Sequence, residues 1–122
     1  MRIGLGTVQK SDSGERRAIM DEVGKEIGYV EFALSDGWLD VWWVELAVEH
    51  RRRGLGVDAV RLLEVEARRR WGVRGIRAEV PVENGLALYF WLRLGYRPGA
   101  GGSRRTGEAL VMERGLSAAS AE

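Results

Sequence analysis

The chain has no cysteine among its 122 residues, which removes disulfides, thiolate metal sites and a covalent cysteine mechanism together. It has one histidine, His50. With no cysteine and no carboxylate cluster beside it, that histidine makes a poor metal site and is expected to be an exposed loop residue, charged at low pH. Lysine is scarce: of 19 basic residues only Lys10 and Lys25 are not arginine. A GC-rich genome and selection for ion pairing at high temperature would both produce that bias. Net charge is missing too, because 19 basic against 18 acidic residues leave +1, so whole-molecule steering toward nucleic acid is not indicated. No stretch approaches the roughly eighteen apolar residues of a membrane span, and the opening MRIGLGTVQK lacks the hydrophobic region of a signal peptide. A soluble, cytoplasmic single domain is expected, with one core over residues 1–114 and 115–122 as a small, polar, frayed tail.

What is present is concentrated in residues 41–70, where an apolar strand runs through a basic, glycine-containing turn into an amphipathic helix. The strand, VWWVELAV from Val41, is charged only at Glu45, as expected of a strand buried on both faces. Adjacent Trp42 and Trp43 should point to opposite faces. In the helix, Ala59, Val60, Leu63 and Ala67 recur at helical spacing, while Glu64/Arg68 and Glu66/Arg70 are spaced for i,i+4 pairing. Between strand and helix lie Arg51, Arg52, Arg53, Gly54, Leu55 and Gly56. Glycines there allow close backbone approach, and the first amides of the helix, at its positive dipole end, would face an anion. A P-loop is excluded, since no Lys-Ser/Thr pair follows the glycines, and Ala59 in the third position weakens a dinucleotide fingerprint. The spacing that fits is RxxGxG at Arg51, Gly54 and Gly56.

Downstream come GIRAEVPVEN, ending at Asn84, and GLALYFWLRLGY, ending at Tyr96. The ordered set over residues 41–96 resembles the GNAT superfamily, the Gcn5-related acyl-CoA-dependent N-acetyltransferases: pyrophosphate loop, fifth strand with its asparagine, and a helix closing in an LGF-type ending. The resemblance implies an α+β fold with a mostly antiparallel sheet and two main helices. It also implies acetyl-CoA as cosubstrate with no metal, and a small-molecule or peptide amine as acceptor. Turn chemistry divides the N-terminal third into strands 2–9, 15–21, 26–34 and 38–48, followed by a helix from Gly54, a strand 76–82, a second helix and a last strand 108–114. Strands 38–48 and 76–82 should run parallel across the first helix.

Two departures from the family pattern stand out. GNAT proteins usually carry a pair of helices after the first strand, walling the acceptor pocket; here only a short turn near 10–14 is available. The uncovered face, beside Trp38, Trp42 and Trp43, suggests a homodimer whose second subunit supplies the missing wall. The alternative is that this chain's own helices cover both indoles. The linker before Arg51 is also about two residues short of the family's usual form, so either the strand ends early or the loop is tighter.

For the chemistry, the resemblance implies direct attack of the amine on the thioester in a ternary complex. A backbone amide at Leu46, Ala47 or Val48 would receive the oxyanion, and strand amides and carbonyls would pair with pantetheine where the parallel strands splay. Two carboxylates are candidate bases. Glu45 interrupts an apolar strand, where desolvation would suit it to proton abstraction. Glu79 sits five residues before Asn84, matching a glutamate of the ribosomal-protein acetyltransferase branch. Either could instead pair with an arginine. The family's thiolate-protonating tyrosine falls on Trp91, which cannot serve as an acid and would pack beside the pantetheine; Tyr89 lies about 200° away around the helix. Asn84 is expected to cap the second helix and contact the cofactor. The rival to an enzyme is a non-catalytic acyl-CoA-binding domain, favoured by the missing helices and tyrosine. Nucleic-acid binding through 51–53 and 68–70 is weaker, because Glu64 and Glu66 dilute the basic helix.

Overall fold

The computed structural model describes residues 2–12, 14–51, 54–99 and 109–116. Seven strands form one sheet in the order β1-β2-β3-β4-β5-β7-β6. β1 (Gly4–Ser11), β2 (Gly14–Met20), β3 (Glu26–Ser35) and β4 (Trp38–Leu46) make an antiparallel meander. Its turns use residues suited to them: Asp21 Oδ1 accepts from the Val23 and Lys25 amides, and the Asp36-Gly37 pair takes positive φ. Helix α1 (Leu55–Glu66) leads through a π-helical turn, Ala67–Trp71, to β5 (Gly75–Pro81), which runs parallel to β4. Helix α2 (Gly85–Arg93), the two-residue β6 (Arg97–Pro98) and β7 (Ala109–Gly115) complete the fold, with β7 antiparallel to β5.

Both helices lie on one face of the sheet. On that face Phe32 of β3 meets Trp71 at 5.6 Å between rings, Arg17 of β2 pairs with Glu66 of α1, and Arg114 of β7 reaches Glu64 at 3.3 Å. Ile19, Val30, Phe32, Leu39, Leu63, Ile76, Leu94 and Tyr96 are fully or almost fully buried there, each large apolar side chain contributing about 2 kcal/mol by leaving water. The other face carries Arg16, Tyr29, Glu31, Asp40, Arg77 and Glu79, and among the described residues no helix covers it. Arg77 Nε binds Asp40 Oδ1 at 2.7 Å and lies over the Trp38 ring. No helix among the described residues is long and apolar enough to cross a membrane.

Several expectations change. Glu64 does not pair with Arg68: it is buried, and its carboxylate binds Arg61, Arg114 and the Tyr96 hydroxyl, which donates to Oε2 at 2.7 Å. Side chains three apart bring Arg61 into reach, and α1 turns Glu64 toward the sheet. Glu66 and Arg70 are 3.9 Å apart, as spaced. His50 is half-buried within a single 3-10 turn, Val48–His50, because the chain tightens where β4 ends. Two residues of the expected tail belong to the fold: Gly115 pairs with Gly75, and Leu116 is buried with its amide donating to Arg74 O. The remainder of the expected tail lies outside the described residues.

Burial and the Glu64 carboxylate together push the Tyr96 phenol above its ordinary range. The folded chain therefore keeps a proton that the unfolded chain releases near pH 10, so this stabilisation is fully present below about pH 10 and is lost as pH rises past it. Melting temperature measured from pH 9 to 11 should fall steeply in the wild type, and Tyr96→Phe should flatten that fall.

Candidate functional site

β4 and β5 pair only from Trp38/Gly75 to Val41/Ala78. Beyond that point β4 runs on to Leu46 beside β3 while β5 runs on to Pro81 beside β7. The strands part, and a cleft of about 850 Å³ opens between them. Its walls include Gly54, Gly56 and Phe90 from the helix side and Trp43, Glu45 and Glu79 from the open side, so the cleft passes through the sheet. The backbone edges of residues 42–46 and 79–81 that face it take no partner from each other. Such edges can pair with an extended amide-bearing chain.

The sheet's alternation identifies the groups on the β4 edge. Ala47 N donates to Ile27 O at 2.8 Å, so its amide points to β3. Successive strand amides point to opposite edges, which turns the Leu46 amide toward the cleft. Ala47 is thereby removed as an oxyanion donor, and Leu46 remains. Val48 lies past the strand in the 3-10 turn. The short linker is resolved by an early strand end, with β4 stopping at Leu46 instead of running to Val48.

At the helix-side mouth, Gly54 caps α1 in the left-handed region at φ 77°, a conformation that glycine adopts without the Cβ penalty. The first intrahelical bond runs from Asp58 N to Gly54 O. The amides of Leu55, Gly56 and Val57 precede it, and among the described residues no side chain caps them. A Cβ on Gly56 would come within 3.1 Å of the Phe90 ring, so this glycine also admits α2. Arg51 departs from its expected direction: Nε donates to Leu46 O at 2.9 Å, tying the turn to the strand end. Arg52 and Arg53 lie outside the described residues. Glycines, open amides and strand edges that have parted from one another fit a phosphate and a pantetheine chain. Among the described residues no group of three His, Asp or Glu could hold a metal.

On the open side, Glu79 pairs across from Val111 and lines the cleft with Glu45. Glu45 is half-buried on the helix-free face, and its Oε1 accepts from the Trp43 indole at 3.0 Å. The apolar surroundings expected of it are absent, because the residues of β4 that pack under the helices are its neighbours Val44 and Leu46. The two tryptophans also correct their expectation. Glu31 pairs with Trp43 but Phe32 pairs with Val41, leaving Trp42 as an extra residue in β4, a β-bulge. Trp42 packs where a Cβ on Gly14 would meet it together with Ala33, and Trp43 stands across from Glu31, so both occupy the helix-free face. Period-two reasoning cannot find a bulge inside an unbroken apolar run.

The second helix starts at its expected cap. Asn84 Oδ1 accepts from Ala87 N at 3.1 Å, capping α2. Trp91 is buried, stacks edge-on with Tyr96 at 4.8 Å and lines the cleft. Tyr89 is 61 % exposed beneath Arg93 and does not line the cleft.

A family model described as the acetyltransferase (GNAT) family matches residues 6–96. Among solved structures, a Klebsiella pneumoniae subsp. pneumoniae MGH 78578 protein provisionally assigned as an acyl-CoA N-acyltransferase aligns with a TM-score of 0.72 at 24% identity. The match covers 84% of this chain and 72% of that one. Nourseothricin acetyltransferase aligns with a TM-score of 0.68 at 26% identity, covering 84% and 65%. Spermidine N-acetyltransferase from Vibrio cholerae, a dodecamer, aligns with a TM-score of 0.70 at 16% identity, covering 87% and 67%. The chain thus spans about two-thirds of the length of these proteins. No curated protein matches the sequence significantly.

Proposed function

Since the chain belongs to the acetyltransferase (GNAT) family, as a GNAT-type N-acetyltransferase, we propose that it transfers an acetyl group from acetyl-CoA to a primary amine by direct attack. The observation that carries this reading is the cleft through the sheet, with open helix amides at one mouth and two carboxylates at the other. The phosphates of CoA would lie against Leu55, Gly56 and Val57, and its pantetheine along the edge of β4 that has parted from β5. The amine nitrogen attacks the thioester carbonyl carbon, and a C–N bond forms as the C–S bond breaks. The Leu46 amide supports the oxyanion. Glu79 takes the amine proton, and water protonates the departing thiolate, because Trp91 has no acid to offer and Tyr89 stands outside the cleft. Acetyl-CoA consumption over a panel of amines, with CoA binding measured by calorimetry, tests the proposal. CoA binding with no turnover on any amine would favour a binding domain instead.

The helix-free face supports a homodimer. Gly6, Ala18 and Ala33 present a shallow surface there, and Trp43 is 49 % exposed at the cleft mouth. A second copy on β1 to β3 would supply the acceptor-side wall that no helix among the described residues provides. Light scattering should give twice the 13.6 kDa chain mass at micromolar concentration; a monomer would contradict the dimer without touching the CoA site.

A further inference from the structure

The bulge in β4 aims a large indole at the place where the cleft meets the helix-free face. Trp43 lines that end of the cleft and keeps 49 % of its surface exposed, whereas Trp42 is folded down beside Gly14 and Ala33. Among the described residues no aromatic ring or guanidinium stacks on Trp43. An indole has one hydrogen-bond donor, and here it is already engaged with Glu45 Oε1 at 3.0 Å. That bond fixes the ring plane and leaves only the π face for a ligand, and a π face attracts cations.

The surrounding charge points the same way. Glu45 is bound to the ring, and Glu31 is its cross-strand neighbour. Arg16, the partner of Glu31 in β2, is engaged elsewhere: it binds Glu26 at 2.9 Å and stacks on Tyr29 at 3.9 Å. Arg77 is held by Asp40, and of the arginines that line the cleft, Arg51 donates to Leu46 O and Arg93 lies over the Tyr89 ring. The nitrogen that attacks a thioester must be uncharged, so it is not the group that a cation-selective surface would hold.

We infer that Trp43, oriented by Glu45, binds a second, non-reacting cationic group of the acceptor, which makes the acceptor a diamine or a similarly dicationic molecule. The inference rests on the acetyltransferase reading. Trp43 is a specificity-determining residue and Glu45 a positioning residue; the proton goes to Glu79.

Diaminobutane and butylamine, equal in chain length, separate the claim from general activity. The wild type should acetylate diaminobutane with the lower KM. Trp43→Ala should raise KM for diaminobutane about tenfold more than KM for butylamine, with kcat changing little. Trp43→Phe, which retains a ring, should recover part of the difference, and Glu45→Gln should shift KM in the same direction. Equal losses on both amines, or no wild-type preference for the diamine, would overturn the inference while leaving the acetyltransferase reading in place. Tryptophan fluorescence titrated with each amine, with and without CoA, gives a readout independent of turnover. Diamine-selective quenching that Trp43→Phe abolishes supports the assignment, and its absence from the wild type overturns it.

Discussion

Glu79→Gln should lower kcat by about 10² to 10⁴, the range that general base catalysis supplies, while CoA affinity measured by calorimetry stays near the wild-type value. The glutamine keeps the shape of the side chain on β5 and its place opposite Val111, so the loss isolates the proton acceptor from the architecture. An equal fall in CoA affinity would show that the substitution disturbs the cleft and that no base has been measured. Glu45→Gln should act differently, since its carboxylate is engaged by Trp43: its effect falls mainly on acceptor KM. If Glu45→Gln lowered kcat as far as Glu79→Gln, the division of roles between the two carboxylates would be wrong. Tyr89→Phe should change almost nothing, because the ring lies outside the cleft; a loss comparable to Glu79→Gln would make Tyr89 the acid and return it to the site.

Gly54→Val should abolish measurable CoA binding while the fold persists. At φ 77° a β-branched residue is strained by about 1 to 2 kcal/mol, a cost that a domain with roughly 5 to 15 kcal/mol of stability survives. A Cβ at Gly54 would meet no atom of the described residues within 4 Å, so the damage falls on the loop conformation and on the space a phosphate would occupy. Gly54→Ala should weaken binding less. Circular dichroism and a cooperative melt confirm folding, and calorimetry reads the affinity. Wild-type affinity in Gly54→Val would remove the turn from the CoA site.

Local sequence carried the element order well because its signals are local. Turn chemistry at Asp21 and Asp36-Gly37, the apolar spacing of α1 and the Asn84 cap act within a few residues, where side-chain geometry and backbone hydrogen bonding are set by neighbours in the chain. RxxGxG placed Gly54 and Gly56 at a helix start for the same reason. The helix termination at Arg93, the added strand Arg97–Pro98 and the end of β4 at Leu46 were less legible, because each is decided by what pairs or packs from elsewhere.

The site divides along the same line. The sequence by itself determined the glycine turn, the capped second helix and the two carboxylates as candidates. Tertiary structure alone decided that Arg51 turns back to Leu46, that Glu64 is buried under Tyr96 and Arg114 instead of facing Arg68, and that Glu45 holds Trp43. It also put Trp42 and Trp43 on one face through a bulge that only the register against β3 reveals. A strand's alternation is a property of its own backbone, but an extra residue in it is defined by a partner strand, and no pattern within the strand records which partner residue is skipped.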